Sequence, residues 1–258
     1  MLMLTGIVCE QGLRESMEDT YCLEDNFSGQ KWIFGGVFDG HRGNMAAIHT
    51  AQNLPQYFQK GLEQEDHPWN AFRHAYKNIA KDLSRQRSGT TATTFFLCEE
   101  RIYLAHVGDS RALLLEEENF FQLSEEHRLN NPGEKSRIED CGAHIVYPYV
   151  FTNSQGLMLT RTLGDSDFKD LGVLSTPFLT EHNIQEQDKI LLLATDGLFD
   201  VFSNREIFES IDKNEDPQVI AEDLLNLALI NRMSTDNITI LILNLQEARK
   251  EVLTCPSY

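Results

Sequence analysis

The chain has 258 residues, with 22 Lys and Arg against 40 Asp and Glu, a formal charge of −18 and a pI near 4.8. A surface this acidic repels phosphate backbones and anionic lipid, which argues against nucleic-acid or membrane-surface binding as the main task. Apolar residues make up 41% and charged residues 24%, the balance of a folded chain rather than a disordered one, and no run of about 18 apolar residues is present to span a bilayer.

Met1 to Cys9 is apolar, lacks a basic flank and soon reaches Glu10, so Leu4–Cys9 is predicted to be a first strand and not a signal peptide. Trp32–Phe38 follows as a second strand. A helix is expected from Asn44 to Leu62, interrupted or ended near Pro55. Trp69, Phe72, Tyr76, Ile79 and Leu83 form one stripe at steps of three and four after Pro68, which predicts a second helix. Thr91–Leu97, Ile102–Val107 and Ala112–Glu116 read as strands, with Glu117–Asn119 as a hairpin loop leading to Phe120. Ile190–Thr195 is another strand; Ile220, Leu224 and Leu227 or Ala228 mark a helix after Pro217, and Ile238–Leu243 is the last strand. Short strands grouped around long helical inserts predict an α+β fold. No linker, low-complexity stretch or fixed repeat divides the chain, so residues 1–258 are expected to form a single domain. The five cysteines, Cys9, Cys22, Cys98, Cys141 and Cys255, are odd in number and widely spaced, with no C-x-x-C pair. Reduced thiols in a cytoplasmic or nuclear compartment fit this better than a disulfide scaffold or a zinc–thiolate site.

The acids are informative by position. Asp39-Gly40-His41 follows the run Ile33–Phe38, Gly108-Asp109 follows Ile102–Val107, Asp196-Gly197 follows Ile190–Thr195, and Asp236-Asn237 opens Ile238–Leu243. Arg14 precedes Glu18-Asp19 near the amino end. Any one Asp-Gly is a turn signal and no more. Four aspartates at the ends of four strands can converge, however, and converging carboxylates shift one another's pKa unless a cation joins them. Oxygen ligands with no Cys and little His favour Mg²⁺ or Mn²⁺ over zinc or copper.

Seven motifs then occur in order: Arg14-x-x-x-Glu18-Asp19, Phe38-Asp39-Gly40-His41, Ser88-Gly89-Thr90-Thr91-Ala92, Val107-Gly108-Asp109-Ser110-Arg111, Arg161-Thr162-Leu163-Gly164-Asp165, Thr195-Asp196-Gly197 and Ser234-Thr235-Asp236-Asn237-Ile238-Thr239. From about Gly6 to Asn244 the chain resembles the PP2C (PPM) family of metal-dependent serine/threonine protein phosphatases. The resemblance implies a central sandwich of two antiparallel sheets flanked by helices, with a metal cleft at one end. It implies that Asp39 bridges two metal ions, that Glu18 and the Gly40 carbonyl complete one site, and that Asp196 and Asp236 hold the other. Asp19 is implied to bind metal-coordinated water, and Asp109, with Asp196 and Asp200, to match a weaker third-metal position. Arg14 is implied to clamp the substrate phosphate. His41, next to the ligands, is a candidate general acid, and a water bridging the metals is the implied nucleophile. A dinuclear centre of this kind neutralises the acids and stabilises an in-line phosphoryl transition state, and the planar fork of arginine suits phosphate oxygens.

Two motifs depart from the family pattern. The usual Asp-Gly-His-Gly-Gly reads Asp39-Gly40-His41-Arg42-Gly43, which puts a large cation beside the cleft, and the usual Ser-Arg-Ala-Leu-Gly-Asp reads Thr160-Arg161-Thr162-Leu163-Gly164-Asp165. Ile145–Gly156, where the family carries a mobile flap, is short and aromatic. The expected activity is hydrolysis of phosphoserine and phosphothreonine in phosphoprotein substrates by a monomer. A pseudophosphatase acting as a binding module on the same fold would usually have lost one of these acids, and all are present. A hydrolase of small phosphoesters or nucleotides on another fold finds no support in a Gly-rich phosphate loop.

Overall fold

The structure, a computed structural model, describes residues 4–64 and 67–253; Met1–Met3 and Cys255 lie outside the described residues. Along the chain, β1 (Thr5–Glu10), β2 (Thr20–Phe27) and β3 (Trp32–Phe38) lead through the short β4 (Gly40–His41) into helices α1 (Met45–Gln64) and α2 (Pro68–Asp82). β5 (Gly89–Thr90), β6 (Ala92–Cys98), β7 (Arg101–Val107), β8 (Arg111–Glu116) and β9 (Phe120–Gln122) follow. Next come α3 (Pro132–Asp140), the small strands β10 (His144–Val146), β11 (Tyr149–Phe151) and β12 (Gly156–Leu157), and β13 (Leu163–Gly164). β14 (Phe178–Asn183) and β15 (Asp188–Ala194) precede α4 (Asp196–Phe199), α5 (Asn204–Ser210), α6 (Pro217–Asn226), β16 (Ile238–Asn244) and α7 (Leu245–Leu253).

Two five-stranded antiparallel sheets result, one ordered β1-β16-β15-β8-β9 and the other β14-β7-β6-β3-β2. Their central strands are apolar on both faces, and period two sorts the side chains into separate layers. Leu191 and Leu193 face Val37, Phe95 and Leu104 between the sheets, while the alternate residues Ile190, Leu192 and Ala194 pack under Ile207, Ile220 and Leu224 of the helices outside. On the other side Phe34, Phe38 and Phe96 turn outward to meet Phe58, Phe72 and Tyr76 of α1 and α2. The α+β expectation therefore holds, as a sandwich with helices on both outer faces.

One boundary differs. α1 runs unbroken through Pro55, which is itself buried. The ring removes one backbone donor and crowds the preceding turn, worth about 3 kcal/mol. The residues beyond it, however, seat Phe58 among Phe27, Phe34, Phe72 and Phe96 and bring Gly61 against the backbone of Ala71. That packing outweighs the lost bond. Edge strands β2 and β14 and helix α3 also lay outside the predicted elements. Their mixed polar sequences, TYCLEDNF, FLTEHN and PGEKSRIED, show no clean period because few of their residues are buried. α3 is set by its start, where the Asn131 side chain caps Gly133 and Pro132 takes the first turn.

Candidate metal centre

Asp39 leaves the end of β3, and its position is fixed from both sides by Thr91: the Asp39 amide donates to Thr91 Oγ1 at 3.0 Å and the Thr91 amide donates to the Asp39 carbonyl at 2.9 Å. Beside it lies a three-stranded patch, β13-β5-β4, that pairs His41 with Gly89 and Gly89 with Gly164. Asp165, the next residue, thereby meets His41, Oδ2 to Nε2, at 2.8 Å. Gly89 is required between them, because a Cβ there would collide with both the Asp165 carboxylate and the His41 ring.

The four strand-end aspartates come together as the sequence suggested. Carboxylate oxygens of Asp39, Asp109 and Asp196 all lie within 4.8 Å of one another, in a cleft of about 550 Å³ also lined by Arg14, Glu18, Gly40, His41, Asp200 and Asp236. Asp19 lies beneath this cleft, 7% exposed, with Oδ2 accepting from the hydroxyls of Thr195 at 2.8 Å and Thr239 at 2.9 Å. Glu18 points at the loop after β4, where Oε1 accepts from the Gly43 amide at 2.9 Å. Asp236 is paired with Arg14, Nη2 to Oδ2, at 2.5 Å.

Burial, and then the neighbouring carboxylates Asp196, Asp19 and Asp109, push Asp39 well above the usual carboxylate range. Burial followed by Asp109, Asp200 and Asp236 does the same to Asp196. Asp19 is pushed up to about 7, mainly by burial. Carboxylates held this close favour keeping a proton when no cation is present. An all-oxygen set this crowded fits a hard divalent cation, which replaces the proton as counter-charge. Burial, then Arg42, lowers the His41 imidazole to about 4.

Three contributors were not assigned roles from sequence. Asp165 holds His41, a role its motif in the sequence does not reveal. Arg128 inserts between acids, with Nη2 2.6 Å from Asp109, 3.5 Å from Asp196 and 3.8 Å from Asp200. Asn237 pins the loop carrying Arg14: its Nδ2 donates to the carbonyls of Gln11 at 2.7 Å and Ser16 at 3.1 Å, while Oδ1 accepts from the Glu18 amide at 2.8 Å. Its place directly after Asp236 was the one available signal.

Residues 4–238 match the family model for Protein phosphatase 2C. The chain is 33% identical over 243 residues to a probable protein phosphatase 2C 45 of Oryza sativa subsp. japonica, covering 92% of this chain and 86% of that one. It is 32% identical to a probable protein phosphatase 2C 71 of Arabidopsis thaliana, covering 95% of this chain but 56% of that longer relative. Among solved structures, a serine-threonine phosphatase 2C from Toxoplasma gondii superposes with a TM-score of 0.80 at 24% identity, over 93% of this chain and 94% of that one. At that identity the likeness speaks for the fold.

Proposed function

Because the chain belongs to the protein phosphatase 2C family, we propose that it is a metal-dependent phosphatase that hydrolyses phosphoserine and phosphothreonine in proteins, with the residues of the sandwich acting as one catalytic domain. The observation that carries this reading is the meeting of Asp39, Asp109 and Asp196 within 4.8 Å in a cleft that also holds Arg14 and His41. Asp39, Glu18, Asp196 and Asp236, with the Gly40 carbonyl, would hold two ions, Asp39 serving both. Asp109 and Asp200 suit a third, weaker position. Asp19, beneath the cleft, is suited to act through water. Mg²⁺ or Mn²⁺ bound there supplies a water nucleophile of lowered pKa and Lewis-acid stabilisation of phosphoryl charge.

The protein's own groups do the rest. Arg14 presents a planar fork at the cleft rim, its side chain 58% exposed, and exchanges Asp236 for phosphate oxygens when substrate arrives. His41 donates a proton to the departing seryl or threonyl oxygen, with Asp165 fixing the ring. A phosphate dianion beside the ring favours its protonated form, opposing the effect of burial. The four described cysteines Cys9, Cys22, Cys98 and Cys141 are free thiols, in keeping with a reducing compartment such as cytoplasm or nucleus. Among the described residues no helix is long and apolar enough to cross a membrane.

The test is release of phosphate from a phosphothreonine peptide with Mn²⁺ or Mg²⁺ and then with EDTA. Turnover that requires the metal is expected; no release in any metal, or release untouched by EDTA, overturns the reading.

A further inference from the structure

Arg42 follows His41 and has its backbone in the left-handed region, with φ of 59°, a conformation that costs a residue with a side chain more than it costs glycine. Its side chain has three partners that glycine could not engage. Nη1 donates to Gln155 Oε1 at 2.6 Å. Nη2 pairs with Asp165 Oδ1, on the carboxylate whose other oxygen holds His41. The guanidinium also lies over the Phe168 ring, 5.0 Å from its centroid, and Phe168 belongs to the small core formed with Val150 and Leu157 of the hairpin.

Gln155 sits in the turn between β11 and β12. Its amide donates to Thr152 Oγ1 at 3.1 Å, and its carbonyl accepts from the Thr152 amide at 2.9 Å, so the side chain projects from a closed turn. The chain leaving that turn, Gly156 to Leu159, lines one wall of the cleft. A single planar fork therefore spans the tip of the hairpin and the carboxylate behind His41. Lysine, a point charge, cannot hold both acceptors in that geometry.

We propose that Arg42 is a positioning residue that latches the β11–β12 hairpin tip to Asp165, fixing the wall of the cleft against which the polypeptide flanking a phosphorylated residue must lie. The substrate part of this proposal rests on the phosphatase reading; the latch does not. Protein substrates meet the hairpin wall, whereas a small aryl phosphate needs only the metal centre and Arg14. The latch thus belongs to the choice of substrate more than to the chemical step.

Hydrogen exchange of the backbone amides of residues 149–157 tests the latch without any turnover. Arg42→Gly suits the left-handed backbone and keeps the fold, so it isolates the side chain. Arg42→Gly and Gln155→Ala are each expected to speed hairpin exchange by about tenfold, the effect of opening that is easier by one such contact, and the double variant to be no faster than Arg42→Gly. Arg42→Lys should behave like Arg42→Gly. For activity, Gln155→Ala should raise KM for a phosphothreonine peptide roughly three- to tenfold, a loss of ground-state positioning, with turnover of p-nitrophenyl phosphate unchanged. Unaltered exchange in Arg42→Gly, additive effects in the double variant, or full protection restored by lysine each overturn the latch. A hairpin that loosens as expected while KM for the peptide stays constant retains the latch and sinks its part in substrate choice.

Discussion

Glu134 is a buried carboxylate and Asp39 a half-buried one, and their surroundings push them in opposite directions. Burial alone pushes Glu134 up, but hydrogen bonds from Arg137, Arg161 and Thr160 outweigh it and hold the group at about 2. Arg137 and Arg161 reach Oε1 at 2.6 and 2.7 Å, and the Thr160 hydroxyl reaches Oε2 at 2.6 Å. Asp39 instead faces Asp196, Asp19 and Asp109, and burial and like charge drive it the other way. The first site is complete within the chain: every strong acceptor has a donor aimed at it. The second has acids facing acids and is suited to a cation from outside. Arg128 lies between the two cases, neutralising the Asp109 corner of the cleft while Asp39 stays among acids. Acidity is therefore a poor guide to a metal site, and the sign of what faces each acid is a better one.

The sharpest way to break the comparison is Asp39→Asn. An amide offers one weak acceptor where bridging needs two charged oxygens, so kcat on a phosphothreonine peptide should fall by about 10³-fold or more, the worth of several kcal/mol of metal stabilisation. The thermal stabilisation that Mn²⁺ gives the wild type should vanish too, while the metal-free protein becomes no less stable, because one repelling carboxylate has gone. More than about a tenth of wild-type kcat surviving at saturating Mn²⁺ would rule out the dinuclear assignment.

His41→Ala asks whether the cleft holds a proton donor as well as metal ligands. A seryl or threonyl alkoxide leaves poorly without a proton, whereas a nitrophenolate leaves easily. The loss in kcat should reach about 10² on an alkyl phosphopeptide and be far smaller on p-nitrophenyl phosphate, since a positioned acid matters only where protonation is needed. Equal losses at saturating Mn²⁺ would make His41 a scaffold residue.

Glu134→Gln probes the other half of the comparison. Leaving two arginines without their buried counter-charge costs about 3–5 kcal/mol, seen as a drop in Tm of roughly 10 °C for a chain of this size. Since the folded group sits at about 2 against an ordinary 4.5, its contribution is fully present above the ordinary value and is lost as pH falls toward the lower one. The gap in stability between wild type and variant should accordingly narrow as pH is lowered through that window. Mn²⁺ should still raise Tm in this variant, as it should not in Asp39→Asn; loss of the metal response would mean that the two sites are not independent.

How much of this was legible in sequence depended on whether a residue's role is local. The central strands declared themselves because both their faces are apolar, as in Ile190–Ala194, and Asp39, Asp109, Asp196 and Asp236 because each adjoins the end of such a strand. Pro55 misled because the signal is local while the compensation, Phe58 against α2 and the sheet, is not. The partners that orient the site were hidden for the same reason. Asp165 lies 124 residues from His41, and Thr239 lies 220 residues from Asp19. Nothing in either neighbourhood marks the pairing, which exists only once β4, β5 and β13 align or β16 lies beside β15. Arg128 was equally silent, being one of many charged residues in a polar loop.

Arg14 gives the smallest expected effect and separates a neutralising cation from a substrate-binding one. Its guanidinium pairs with Asp236 at 2.5 Å, with 58% of the side chain exposed, so it could serve Asp236 as Arg137 serves Glu134. The two roles differ in what removal does. A partner like Arg137 is half-buried against a buried acid, and its loss strips the acid of its counter-charge. Arg14 stands at a solvent-exposed rim, where an ion pair is worth about 0–1 kcal/mol and a carboxylate left free remains available to metal. Arg14→Ala is therefore expected to raise KM for a phosphothreonine peptide about tenfold, with an equal or smaller loss in kcat, because it removes positioning of the phosphate outside the metal shell. Mn²⁺ affinity, measured calorimetrically, should be unchanged or slightly tighter. Weaker Mn²⁺ binding with KM intact would place Arg14 with Arg137 as a structural counter-charge and leave the phosphate without its clamp.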